Sequence, residues 1–303
     1  MENNVNLSYQ SSGKTGSLSL FWFIILILIV LPVLSYIYAY LIWYTPIIGL
    51  NIIIVIGFSY VIGLTISRIV IKLGKVRSSK FGIFLTTIAT LSALYYAWAV
   101  WITLYFNVED SYDFGRLTFS KSFASSKDVL RLITHPDEML ILLQEIYESG
   151  TWSISTRQNH EGTGPINGTF IILSWIIEAI LIILYPFTKT LQSTRLPFSE
   201  EFDIWLPAQK SKKLIYIENV FEELKINQDQ LETILHLQKN KSTSYSQLII
   251  YGLPNSEKYL TILNFQSLRN GKSELTFKKL IPINQILIND DLYYKIKNQI
   301  DTL

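Results

Sequence analysis

Four apolar stretches decide what this chain can fold into. Leu20 to Leu41 reads LFWFIILILIVLPVLSYIYAYL without a charge. Ile47 to Ile71 is broken only by Asn51, small residues, Tyr60 and Arg68, and Phe81–Phe106 and Phe170–Phe187 follow. A bilayer core takes about 20 apolar residues in a helix, and each run meets or nearly meets that length. Helices that pack in a soluble core alternate apolar with polar faces, whereas these runs are apolar all round. With 49% apolar and only 17% charged residues, the composition leans the same way. The fold class expected is therefore membrane α-helical, with four transmembrane helices and a small α+β domain at the C-terminus.

The first run is too long for a cleavable signal, follows mostly polar residues and lacks a small-residue cleavage site, so it is expected to remain as a span. The chain has no cysteine, which excludes disulfides, thiolate metal sites and cysteine nucleophiles. A net charge of +2 without a basic block gives no reason to expect nucleic acid as a partner.

Charge sets the orientation. Lys72, Lys75, Arg77 and Lys80 crowd the connector after the second run, with Arg68 just inside it, and Lys189 and Arg195 follow the fourth. The 107–169 segment carries five Lys/Arg against nine Asp/Glu. Positive residues concentrate in short cytoplasmic loops. The expected layout is a cytoplasmic tail (1–19), transmembrane helices one to three (20–106), an extracytoplasmic loop with an amphipathic helix (107–169), helix four (170–187), a linker (188–210) and a cytoplasmic α+β domain (211–303). This places the chain in a bacterial inner (cytoplasmic) membrane with both termini cytoplasmic and the lipid bilayer as its first partner. Trp43, Tyr44, Trp101, Tyr105 and Phe106 at outer ends, and Trp22 and Tyr185 at inner ends, read as interfacial belts.

Within the bilayer, Ser59, Gly63 and Ser67 on the second span, and Ala89, Ala93 and Ala97 on the third, recur every four residues. Such stripes let backbones approach closely where lipid offers no hydrophobic drive. With only a short loop between them, these two spans are expected to pair with each other. Pro32 should kink the first span, because it lacks a backbone donor and crowds the preceding turn. Glu178, in SWIIEAILII, is the residue that calls for a partner. An ionised carboxylate at mid-membrane costs on the order of 3 kcal/mol, so Glu178 should face other helices. Ser174 lies one turn away on the same face, and Tyr60, Tyr95 or Tyr96 are expected partners. The pair Glu178 and Ser174 has two readings: an interhelical hydrogen bond that fixes packing, or a proton or cation relay. A relay normally uses several buried titratable groups and this depth holds one, which favours the packing bond.

In the outer segment, His135, Glu138, Trp152 and His160 are the candidate site residues. Thr134 suits an N-cap, Pro136 a first turn, Asp137 and Glu138 the positive helix end, and Gly150 a stop. Met139, Leu142, Leu143, Ile146 and Tyr147 line one face, so this helix should lie on the membrane surface or on the spans, with Trp152 as anchor. Metal binding wants three or four converging ligands, commonly two histidines four apart, and His135, Glu138, His160 and Glu161 do not complete that pattern. No metal, no cofactor and no catalytic residue is assigned.

In the tail, Leu214–Ile217, Ser246–Gly252, Tyr259–Leu268 and Ser273–Ile281 read as strands, with Asn270-Gly271 as a tight turn. Asp229–Leu237 reads as a short helix, on which His236 has a structural role. A closing helix is capped by Asn289, with Leu292, Ile296, Ile300 and Leu303 along one face.

His135-Pro136, Gly150-Thr151-Trp152, Gly168 and WIIEA at Trp175–Ala179 together resemble a family of uncharacterised bacterial multi-pass inner-membrane proteins. The likeness covers mainly residues 130 to 205. It implies that Trp152 and Glu178 matter, and it supplies no activity. The family pattern also implies a metal knuckle of the form Pro-Phe-Cys-x-x-Cys with a later Trp. Here PFSEEFDIW keeps Pro197, Phe198 and Trp205 but has Ser199 and no cysteine.

Three functions follow as expectations. The first is a non-enzymatic anchor, assembly or regulatory protein binding a cytoplasmic protein partner through its C-terminal domain. The second is a transporter or channel subunit using Glu178, with a homo-oligomer as partner, since four spans with one buried acid make a poor pore alone. The third is a membrane enzyme using His135, Glu138 and His160 in the outer segment.

Overall fold

A computed structural model describes residues 8–114, 117–151, 168–213, 244–269 and 275–302. They form two compact units: 13–194 in one, and the N-terminal residues up to Ser12 together with 195–302 in the other.

The first unit is built on four helices, α1 (Ser19–Trp43), α2 (Ile48–Leu73), α3 (Ser79–Phe106) and α6 (Thr169–Thr194), each long and apolar enough to cross a membrane. At 1.5 Å per residue each is about 40 Å long, beyond the ~30 Å hydrocarbon core. In helices this long the backbone satisfies its own hydrogen bonds, which a segment in lipid requires. α3 has the lowest mean hydropathy, 1.6, and half of its apolar window is buried in protein, against 17% for α1 and α6. It is the central helix, and its polar content faces neighbours. A π-helical turn, Leu26–Val30, stands just before Pro32, where a kink was expected. Without an N–H at Pro32 the regular ladder lacks a donor there, and the turn widens.

Two further helices and a hairpin link α3 to α6. β1 (Val108–Phe114) pairs antiparallel with β2 (Leu117–Ser122). α4 (Ser126–Thr134) and α5 (Pro136–Ser149) follow. One amphipathic helix was expected, and two are found. Thr134, expected as an N-cap, instead ends α4, where its hydroxyl donates back to the carbonyls of Leu130 at 2.9 Å and Arg131 at 3.0 Å. His135 holds the cap position of α5 without a side-chain capping bond, and Pro136 takes the first turn. Gly150 ends α5 with φ +80°, a conformation that favours glycine. Trp152, His160 and Glu161 lie outside the described residues.

α6 also departs from expectation. It runs through Pro186 to Thr194, so the segment expected as a linker begins as helix. Pro186 has no N–H to offer the Ile182 carbonyl one turn back, and Ser59 of α2 donates its hydroxyl there at 2.9 Å, so the freed acceptor is satisfied by a neighbouring helix.

The second unit is α+β. A short hairpin, β3 (Phe198–Ser199) with β4 (Ile204–Trp205), precedes the sheet. The sheet is antiparallel in the order β5-β6-β7-β8: Ala208–Lys210, Tyr245–Tyr251, Lys258–Arg269 and Leu275–Ile288. β5 falls where a linker was expected. Arg269 pairs with Leu275 across the expected turn, whose residues Asn270 and Gly271 are outside the described set. β8 extends seven residues beyond the expected Ile281. It is an edge strand, where Pro282 is tolerated. The expected strand Leu214–Ile217 and helix Asp229–Leu237 with His236 also fall outside the described residues.

Side chains alternate across the sheet with the strand period of two. Leu248, Ile250, Leu260 and Ile262 pack on one face with Ile288, Leu292, Tyr293 and Ile296. The last three belong to α7 (Asp290–Thr302), which Asn289 caps through its Oδ1 and the Leu292 amide at 2.9 Å. Leu206, Ile249, Tyr251, Tyr259 and Leu263 form a second core on the other face, with Tyr9 and Leu196 packed against it. The N-terminal stretch is thus part of this unit. Ser8 bridges Ile286, and the Tyr9 amide donates to the Gln285 carbonyl at 2.8 Å, which covers part of an exposed sheet edge.

Candidate functional site

Glu178 sits on α6, half-buried, and Tyr38 of α1 donates its hydroxyl to Glu178 Oε1 at 2.5 Å. Tyr38 is buried and stacks on Phe58 of α2, with ring centroids 4.1 Å apart and planes 9° from parallel. The acid therefore faces other helices, as its cost in lipid demands. Its partner is none of the tyrosines expected. Tyr60 meets the ring of Tyr185, and Tyr95 is engaged elsewhere. Ser174 does not join the pair, and its hydroxyl donates to the Ile171 carbonyl of its own helix at 3.0 Å. Sequence reading overlooked Tyr38 because it lies inside the first apolar run, in YIYAYLIWY, of which only Trp43 and Tyr44 were given a role.

The small-residue stripes find different partners from those expected. Ser59 donates to the Ile182 carbonyl at 2.9 Å, Ser67 pairs with Ser193 at 2.7 Å, and a Cβ at Gly63 would stand 2.6 Å from the Tyr185 ring and 3.1 Å from Pro186 Cα. The α2 stripe thus faces α6. Ala89, Ala93 and Ala97 are all buried, and the Ala93 carbonyl accepts from Ser35 of α1 at 2.9 Å. α3 also meets α6 through hydroxyls, Thr86 with Thr190 at 2.7 Å and Ser79 with Thr194 at 3.0 Å. A short connector brings α2 and α3 near at one end only; the close packing of each is with a helix distant in sequence.

A second constellation holds the 107–151 segment on the helices. Tyr44 Oη donates to the Ser122 carbonyl at 2.9 Å and accepts from the Ser122 amide at 3.3 Å. Trp43 Nε1 donates to the Ser120 carbonyl at 2.9 Å. Tyr36 donates to the Ala124 carbonyl at 3.1 Å, and the Ala124 amide donates to Tyr40 at 3.0 Å. Tyr95 reaches the carbonyls of Leu132 and Ile133 at 3.1 and 3.0 Å, and Tyr105 that of Gly150 at 3.0 Å. The carbonyls of Leu132, Ile133 and Gly150 lie at helix ends, where the helix supplies no donor, while those of Ser120 and Ser122 belong to β2 and that of Ala124 to the link before α4. Aromatic residues read as lipid anchors therefore also dock this segment through their polar heads. Below them, Val129, Leu132, Met139 and Ile146 are buried in one cluster with Val100, Ile102 and Leu104.

His135 and Glu138 are not brought together. His135 Nδ1 lies 3.0 Å from both the Arg131 carbonyl and the Thr134 hydroxyl, so its ring turns back onto the end of α4. Glu138 takes the Arg131 guanidinium through two contacts, Nε–Oε2 at 2.7 Å and Nη2–Oε1 at 2.9 Å. Glu138 holds the Arg131 guanidinium above its ordinary pKa. Among the described residues no three His, Cys, Asp or Glu side chains gather as a metal would require.

The second unit carries its own concavity, about 460 Å³, lined by Tyr9, Phe198 and Tyr259 and by Glu200, Glu201 and Glu257. Tyr9 and Tyr259 meet edge to face with centroids 5.2 Å apart. Tyr259 donates to Glu257, and Ser12 to Glu200 at 2.6 Å. Burial, and then the Glu257 carboxylate, push the Tyr259 hydroxyl well above the usual tyrosine range. In the β3–β4 hairpin, Ser199 Oγ accepts from the Phe202 amide at 3.3 Å, and Phe198 and Trp205 pack edge to face at 5.1 Å. On the opposite side of the sheet, Lys258 is buried, with Nζ 2.6 Å from Asp290 and 5.5 Å from the Tyr293 ring centre. No family model, curated protein or solved structure matches the chain.

Proposed function

We propose that this is a non-enzymatic multi-pass protein of a bacterial cytoplasmic membrane that holds a partner-binding module at the cytoplasmic face. The observation that carries the reading is the second unit itself. It has a sheet with a core on each face and an acidic, aromatic-lined concavity. Orientation draws support from two directions. Residues 8–12 share a unit with 195–302, so both stretches belong on one side of whatever the four helices cross, which an even number of spans allows. Lys72, Lys75, Arg77 and Lys80 then mark that side as cytoplasmic by the positive-inside rule. The resemblance around Trp175–Ala179 directs attention to Glu178 and adds no activity.

In-cell cross-linking tests the reading. A photoreactive residue at Glu201, on the concavity of the full-length protein, should capture one protein reproducibly. That adduct should vanish when residues 195–303 are removed while the remainder still fractionates with membranes. Capture that survives the truncation, or none from any concavity position, would refute the module's role. The carboxyl of Glu178 within a membrane-length apolar helix motivates a second reading, a transporter or channel subunit that needs a homo-oligomer, although its bond to Tyr38 also serves packing. A pH-dependent flux in proteoliposomes, abolished in Glu178→Gln, would establish it over the first.

A further inference from the structure

The first unit holds a groove of about 390 Å³ where the last turn of α3 meets α4 and α5. Ile102, Thr103 and Leu132 form a buried floor. Phe106, 40% exposed, and Ile141, 65% exposed, form its lip, and Leu140 beside Ile141 is 67% exposed. Its charged lining is Asp128, Arg131 and Glu138, which form the rim; Asn107 also lines it, and the Thr103 hydroxyl on the floor is taken up by the Ala99 carbonyl at 2.8 Å. Its volume falls at the low end of sites that hold small molecules, enough for a stretch of hydrocarbon chain rather than a whole lipid.

We propose that this groove binds a zwitterionic aminophospholipid of the surrounding bilayer, one acyl chain on the Ile102–Leu132 floor and the headgroup at the charged rim. The inference rests on the reading that the four long helices span a membrane. The apolar lip lies at the end of a membrane-length helix, at the depth where hydrocarbon gives way to headgroups, so a lipid reaches the groove without leaving its leaflet. Charge selects the headgroup. Glu138 neutralises Arg131 through the paired contacts, so Asp128 leaves the rim with one net negative charge. An ammonium group is drawn to Asp128, while the guanidinium N–H groups not taken by Glu138 remain for the phosphate. A headgroup with only negative charge lacks the first contact and meets Asp128 and Glu138 instead.

The test uses full-length protein in nanodiscs of equal phosphatidylethanolamine and phosphatidylglycerol. Each disc carries a trace of one or the other lipid with a photoactivatable acyl chain, and adducts are mapped by mass spectrometry. Residues Ile172, Ile176 and Ile180 of α6, all exposed, report ordinary contact with lipid. Labelling of 102–107 and 139–142, normalised to α6, should favour the ethanolamine probe by up to about five-fold, the reach of one partly screened charge pair. Asp128 is exposed, so Asp128→Lys should fold normally, keep the α6 labelling, and abolish or invert that ratio. Equal normalised labelling by the two probes, or a ratio unmoved by Asp128→Lys, would overturn the proposal. Absence of labelling on α1 and α6 alike would instead overturn the membrane reading on which it stands.

Discussion

At the scale of single residues, Glu178 shows how strongly one polar group constrains its surroundings. A carboxyl in an apolar run must find a donor, and Tyr38 supplies it at 2.5 Å. Glu178→Gln keeps an acceptor for Tyr38 and should leave thermal unfolding in detergent nearly unchanged. Glu178→Leu strands the buried hydroxyl and should cost roughly 1–3 kcal/mol. Equal stability of the two variants would mean that the bond contributes nothing to packing. Tyr259 gives a prediction in pH. Its pKa is raised in the folded state by burial and by Glu257, so its contribution to stability is fully present below the unfolded value of about 10 and is lost as pH rises beyond it. Alkaline unfolding of the full-length protein should therefore shift to higher pH in Tyr259→Phe, a change readable by tyrosinate absorbance. The need for a partner at Glu178 was legible in the sequence. The identity of that partner was not, because depth along one helix says nothing about which neighbour faces it.

At the scale of elements, glycine positions separate close packing from open surface. A Cβ at Gly63 would meet the Tyr185 ring and the backbone of Pro186, whereas at Gly57 it would meet nothing within 4 Å. Gly63→Ala should destabilise by about 1–3 kcal/mol through overpacking. Gly57→Ala, in the same helix, should be neutral or stabilising by up to about 1 kcal/mol. Melting temperatures of the two variants side by side decide it. Docking of the 107–151 segment makes a comparable prediction. Tyr44→Phe and Tyr95→Phe each remove a hydroxyl from backbone carbonyls and should raise amide exchange in β2 and at the end of α4 without changing the helices. Period and length made the long helices and most strands readable. The helix pairing was misread because a short connector suggested neighbours, while Ser59, Gly63 and Ser67 match the surface of α6. α4 was overlooked because SKDVLRLIT is short and mostly polar, and its fold depends on burying Val129 and Leu132.

At the scale of the whole molecule, the absence of cysteine makes topology directly measurable. A cysteine placed at Ser125 should react with an impermeant thiol reagent on intact cells, and one placed at Glu257 should react only after the membrane is opened. The reverse pattern would invert the orientation. The division into a helical unit and an α+β unit was visible from composition, since the apolar runs cease after Phe187. The inclusion of residues 8–12 in the second unit was not. Nothing in SYQSS resembles a strand, and the bridge of Ser8 to Ile286 depends on a sheet edge that forms far away in sequence.

That bridge has a consequence for biogenesis. The strand edge that receives Ser8 and Tyr9 leaves the ribosome nearly a whole chain later, on the order of tens of seconds at ~5–20 residues per second. Throughout that interval the amino-terminal residues lack this partner while the four long apolar helices are synthesised. Completion of the second unit is thereby timed to follow synthesis of the last long helix, and a bulky fusion ahead of Ser8 should delay its maturation far more than one at an exposed turn such as Asn255.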